Sequence, residues 1–94
     1  MWHDLSTGYR IAFTVLCMEG FTVRKEDAEG KVLSFGESEM EISTGFSLEQ
    51  NQLLYWADRH RKDSMHFATV KWCKKSDDDY RVGLSIFKNP FRLA

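Results

Sequence analysis

The amino-acid sequence predicts an all-β domain, and three observations carry that expectation. Residues 67–87 hold two alternating runs around a polar turn. Further alternating runs lie upstream at 11–18 and 40–44. The segment with a helix signal, Ser47 to Asp63, has a contiguous apolar set and no helical stripe. With 94 residues, the chain makes one domain. A domain of that size buries roughly two-thirds of its unfolded surface in a single core.

The elements follow in order. Residues 1–10 are polar, with Gly8 as a turn, and form a leading segment expected to be mobile or draped over the domain. From 11 to 18, Ile11, Phe13, Val15 and Cys17 share one face, and Ala12, Thr14, Leu16 and Met18 share the other. A run apolar on both sides suits a strand covered on both faces. Glu19-Gly20 reads as a bulge or turn, because Gly tolerates the positive φ that either needs. Strand character resumes over 21–24, and the charged stretch Arg24 to Gly30 reads as an exposed loop. Residues 31–35 form a short strand, 36–39 a connection, and 40–44 a strand with one wet face.

Ser47-Leu48-Glu49-Gln50 matches a helix capping box, with Ser47 at the cap and Gln50 three residues on. Leu53, Leu54, Tyr55 and Trp56 oppose that reading, so a strand is expected over 52–56. The basic run Arg59-His60-Arg61-Lys62 becomes the following loop, a solvated face rather than a site. In the terminal hairpin, Ala68, Val70 and Trp72 face the core, opposite Phe67, Thr69, Lys71 and Cys73. Tyr80, Val82, Leu84 and Ile86 complete it across the polar turn Lys74–Asp79. Pro90 follows the last strand and lies in a tail, residues 88–94.

Net charge near zero, formally −1, argues against a broad nucleic-acid surface. Cys17 and Cys73 have no metal-like spacing and read as reduced, packed thiols. Met1-Trp2-His3-Asp4 is not a basic leader, and no apolar run is long enough to span a bilayer. The chain is therefore expected to be cytoplasmic. No nucleophile elbow, Walker loop or HExxH pattern is present. His3, His60 and His66 are scattered, so neither catalysis nor a metal centre is expected.

Ala68-x-Val70-x-Trp72, the polar turn, then Tyr80-Arg81-Val82-Gly83-Leu84-x-Ile86-Phe87 resembles the last two strands of PilZ domains. The resemblance extends upstream to about Gly30, with Leu48 to Leu53 similar to the family's Leu-x-x-Gly-x-x-Leu and Asn51 in the Gly position. It implies a small six-stranded antiparallel PilZ-like β-barrel over 11–87, acting as a non-enzymatic regulatory module in bacterial cyclic di-GMP signalling. Members that bind cyclic di-GMP carry RxxxR before the first strand and [D/N]xSxxG after the second. Here Arg10 alone matches the first motif, and Ser34 with Gly36 stands where the second would fall. A second register, through Ser43, keeps the serine and an acidic residue but places Phe46 at the final Gly.

Arginine forks pair with phosphates and stack on guanine, so one missing arginine weakens the site. Glu37 and Glu39 add repulsion toward a dianion. Arg10 reads more readily as a solvated residue leading into a strand than as a phosphate ligand, and Ser34 equally well as a strand-end residue. Two roles follow: weak binding of cyclic di-GMP, or ligand-independent contact with a protein partner. An unrelated SH3-like or OB-like barrel serving protein interaction is the alternative. Trp72 is expected in the core, with Trp2 and Trp56 helping to build an interaction surface.

Overall fold

In the computed structural model, which describes residues 10–57 and 64–87, every regular element is a strand. These are β1 (Arg10–Glu19), β2 (Thr22–Phe35), β3 (Glu39–Thr44), β4 (Leu53–Ala57), β5 (Met65–Ser76) and β6 (Asp79–Phe87). They close into a six-stranded antiparallel barrel in the order β1-β2-β3-β6-β5-β4. No helix among the described residues is long and apolar enough to cross a membrane. The leading residues 1–9, the basic run Arg59–Lys62 and the tail from 88 lie outside the described residues.

Alternation builds the interior. Ile11, Phe13 and Val15 of β1 meet Val32, Met40, Ile42, Leu54, Ala68, Val70, Val82 and Leu84, all buried. Thr44 is the buried polar residue of this core. Its hydroxyl donates to the Glu29 carbonyl at 2.6 Å and accepts from the Phe46 N–H at 3.3 Å, which offsets the cost of burying it.

The expected loop at Arg24–Gly30 is instead the middle of β2. Residues 22–24 and 31–35 belong to one strand because β1 pairs continuously from Arg10↔Lys31 to Glu19↔Thr22. The two-residue turn Gly20-Phe21 joins β1 to β2, with Gly20 at φ 62. Charge is no obstacle in a ribbon that runs on past the core, where polar pairs replace apolar ones. Thr14 donates to Asp27 at 2.9 Å, and Arg24 reaches Glu19 at 2.6 Å and Glu26 at 2.8 Å.

Strand is also the outcome for the ambiguous segment, over Leu53–Ala57. The capping box is not used. Leu48 seats in the core, and the chain turns at Glu49–Gln52, where the Gln52 N–H donates to the Glu49 carbonyl at 3.1 Å. Asn51 takes the left-handed conformation, φ 74, and its N–H donates to the Val70 carbonyl at 2.8 Å. Asn tolerates that region better than most residues, as the sequence reading requires of this position.

The tryptophans exchange their expected places. Trp56, alternating with Leu54, is 6% exposed and belongs to the core, whereas Trp72 is 39% exposed. A register shift between Val70 and Trp72 is responsible. Val70 faces Leu84 and Trp72 faces Gly83, so Lys71 is the extra residue of a bulge. Beyond it the alternation inverts: Trp72 points outward and Cys73, opposite Val82, packs partly against the core. Both cysteines are free thiols.

This packing predicts that Phe13→Ala costs about 3–5 kcal/mol in a urea melt, as for a fully buried aromatic. Trp72→Ala should cost well under half as much. Equal losses would place Trp72 back in the core.

Candidate functional site

Two bulges shape the outer face of the barrel. One lies in β2 between Val32 and Ser34, the other in β5 at Lys71. Between them run β3 and β6, whose outward positions are set by the register Glu39↔Ser85, Glu41↔Gly83 and Ser43↔Arg81. Ser34 faces Glu41, Glu41 faces Gly83, and Gly83 faces Trp72, so one row crosses four strands. A groove of about 260 Å³ follows this row. Its lining includes Ser34, Gly36, Glu39, Glu41, Lys71, Trp72 and Gly83.

Gly83 is the floor. A Cβ built there would stand 2.3 Å from Cε2 and Nε1 of Trp72, so the indole lies directly on the backbone. Only glycine permits that approach, and a glycine inside a strand is the sequence signal for it. The bulge supplies the indole and the glycine supplies its seat.

Two ion pairs involve the acidic residues of the groove. The Lys71 ammonium donates to Glu39 at 2.7 Å, and the Arg81 guanidinium pairs with Glu41. Lys71, by its hydrogen bond and then by its charge, holds the Glu39 carboxyl below its ordinary value. All four groups are at least partly solvated, so the pairs orient the groove more than they stabilise the fold. They also leave it electrically balanced.

Of the residues picked out in the sequence, Ser34 and Gly36 come together in this groove. Gly36 closes the β2–β3 connection, its N–H donating to the Glu39 carbonyl at 2.8 Å. Arg10 does not join them. It stands at the start of β1, opposite Lys31, with Glu29 at 3.9 Å, and both side chains are well exposed. Lys71, Trp72, Glu41 and Arg81 went unread as a group because the β5 bulge is invisible in the alternation. Among the described residues, no group of three or more His, Cys, Asp or Glu is arranged to hold a metal ion.

No protein-family model matches the chain, and neither the curated proteins nor the solved structures give a match.

Two outcomes test the groove. Gly83→Ala should cost roughly 1–3 kcal/mol by expelling the indole. In a Trp72→Ala background the same change should become neutral or stabilise by roughly 0.5–1 kcal/mol, since the strand then gains a better former. Additive effects in this double-mutant cycle would separate the two residues. For the ion pair, NMR titration should find the Glu39 carboxyl protonating below its usual range in the wild type and higher in Lys71→Ala. Because the folded value is depressed, the pair's contribution is present above the unfolded value. It is lost as pH falls through the folded one.

Proposed function

We propose that this domain is a non-enzymatic, PilZ-like regulatory module of bacterial cyclic di-GMP signalling that works in the cytoplasm through contact with a protein partner. Its contact surface is the Trp72 groove. The outward indole seated on Gly83 supports this most directly. A half-exposed tryptophan held rigid on backbone and rimmed by charges has the character of an interface anchor, the residue type that most often dominates binding energy. The balanced pairs Lys71–Glu39 and Arg81–Glu41 suit a polar rim.

The same pairs disfavour tight capture of a dianion. Glu39 and Glu41 line the groove, and Lys71 and Arg81 are already engaged with them. Arg10, the arginine that the PilZ resemblance offers for phosphate binding, stands beside Glu29. Losing one charge-assisted contact typically removes about 1.5–3 kcal/mol, or roughly one to two decades of affinity. Ser34 and Gly36 in the groove favour a second reading, a weak cyclic di-GMP site. An SH3-like or OB-like interaction barrel would use the surface without any nucleotide.

Calorimetric titration with cyclic di-GMP should show weak binding or none. Tight stoichiometric binding that Arg10→Ala abolishes would replace the protein-contact reading by the receptor reading. A photo-crosslinking residue at Trp72, tested in cells, should trap one discrete partner, whereas the same residue at Lys75 should not.

A further inference from the structure

Strand β2 is longer than its neighbours can cover. It pairs with β1 over Thr22–Lys31 but meets β3 only from Gly30 onward. Over Thr22–Ala28, the side of β2 turned away from β1 therefore carries no strand among the described residues. The two-residue turn sets the phase of this free edge. Residues flanking such a turn form a hydrogen-bonded pair, so Thr22, Arg24, Glu26 and Ala28 direct their backbone groups toward β1. Val23, Lys25 and Asp27 direct theirs outward. The next residue of the outward series, Glu29, confirms the phase, since its carbonyl accepts the Thr44 hydroxyl at 2.6 Å.

The charge order along this edge is Arg24, Lys25, Glu26, Asp27. When this stretch pairs antiparallel with itself about Lys25, Arg24 and Glu26 fall opposite each other. A long open edge is ordinarily a hazard, and charges on it exclude most other strands. This order excludes strangers while admitting a second copy. Beside it, Phe21 at the turn is fully exposed, and Met18 and Val23 are largely so.

We infer that the Thr22–Ala28 edge pairs with the same edge of a second copy of this chain, about a two-fold axis through Lys25. The edge itself selects the register. Two-fold antiparallel pairing needs one residue opposite its own copy, and Lys25 is the midpoint of the free stretch. An axis at Glu26 would set Thr22 against Gly30, whose edge Thr44 already occupies. An axis at Arg24 would set Asp27 against the turn residue Phe21 and shorten the ladder.

With Lys25 on the axis, all the outward backbone groups of Val23, Lys25 and Asp27 find partners. Arg24 then faces Glu26 of the second copy, twice, extending the pairs it makes with its own Glu19 and Glu26. Each Lys25, facing its copy, stands between two Asp27 carboxylates. The turn carries Phe21 to the end of the second copy's β3, at Thr44–Phe46. This surface is separate from the Trp72 groove and does not depend on its role.

Sedimentation velocity over a concentration series tests the pairing. The wild type should associate to a dimer. Arg24→Glu and Glu26→Arg should each weaken association about tenfold or more, because both Arg–Glu contacts become repulsions of similar size. An equimolar mixture of the two variants should form a heterodimer, since both contacts between positions 24 and 26 then join a carboxylate to a guanidinium. Lys25→Pro removes an outward N–H without touching the β1 ladder, and should abolish the dimer with the melting midpoint nearly unchanged. A wild-type chain that stays monomeric at millimolar concentration overturns the inference. So does a dimer that neither charge reversal weakens, or a mixture no more associated than its components.

Discussion

The short ladder between β1 and β4 holds the rest of the structure in place. Three residue pairs, Thr14↔Tyr55, Val15↔Leu54 and Leu16↔Leu53, close six strands into a barrel. Closure gives Val15 and Leu54 an interior in which both are fully buried. It also pairs the edges of β1 and β4 that an open sheet would leave to water or to another chain. Because so few pairs do this, the loop before β4 is anchored separately. Leu48 enters the core, and Asn51 and Gln52 bond across to Val70. That arrangement needs the left-handed Asn51, and a helix over the same residues could not supply it.

A barrel this small has room for few side chains, so any residue displaced from the interior appears on the outer wall. The β5 bulge works in this way. It spends one extra residue, Lys71, and in doing so turns the largest side chain of the strand outward onto Gly83. The inner place beyond the bulge falls to the smaller Cys73, and Trp56 fills the interior from the adjoining strand β4. A bulge can thus create a recognition surface without lengthening a loop. The supporting strands remain a rigid ladder, which favours a binding role with little reorganisation.

The β1–β2 ribbon departs from the economy of the barrel. Its outer half contributes little to the core, yet it extends as a paired, charged and partly apolar projection. A ribbon of that kind is costly to keep ordered for its own sake. The groove and the ribbon edge lie on different parts of the molecule. One chain can therefore hold a copy of itself while presenting its indole to something else.

The sequence by itself determined the all-β class, the terminal hairpin and most of the interior. It did so because strand alternation and turn chemistry are local. Phe13, Val15, Ile42, Val70, Val82 and Leu84 could be assigned from period two alone, whereas Asn51 was placed by the PilZ resemblance, with which its tolerance of positive φ agrees. Ser34 and Gly36 were legible as a pair, but their neighbours in the groove were not. Tertiary structure decided the rest. Whether Arg24–Gly30 is loop or strand depends on a partner strand running alongside, which its charges neither require nor forbid. Which tryptophan is buried depends on a one-residue shift between β5 and β6. A shift of that size inverts every later side chain, yet it arises from how two strands meet rather than from either strand's own residues.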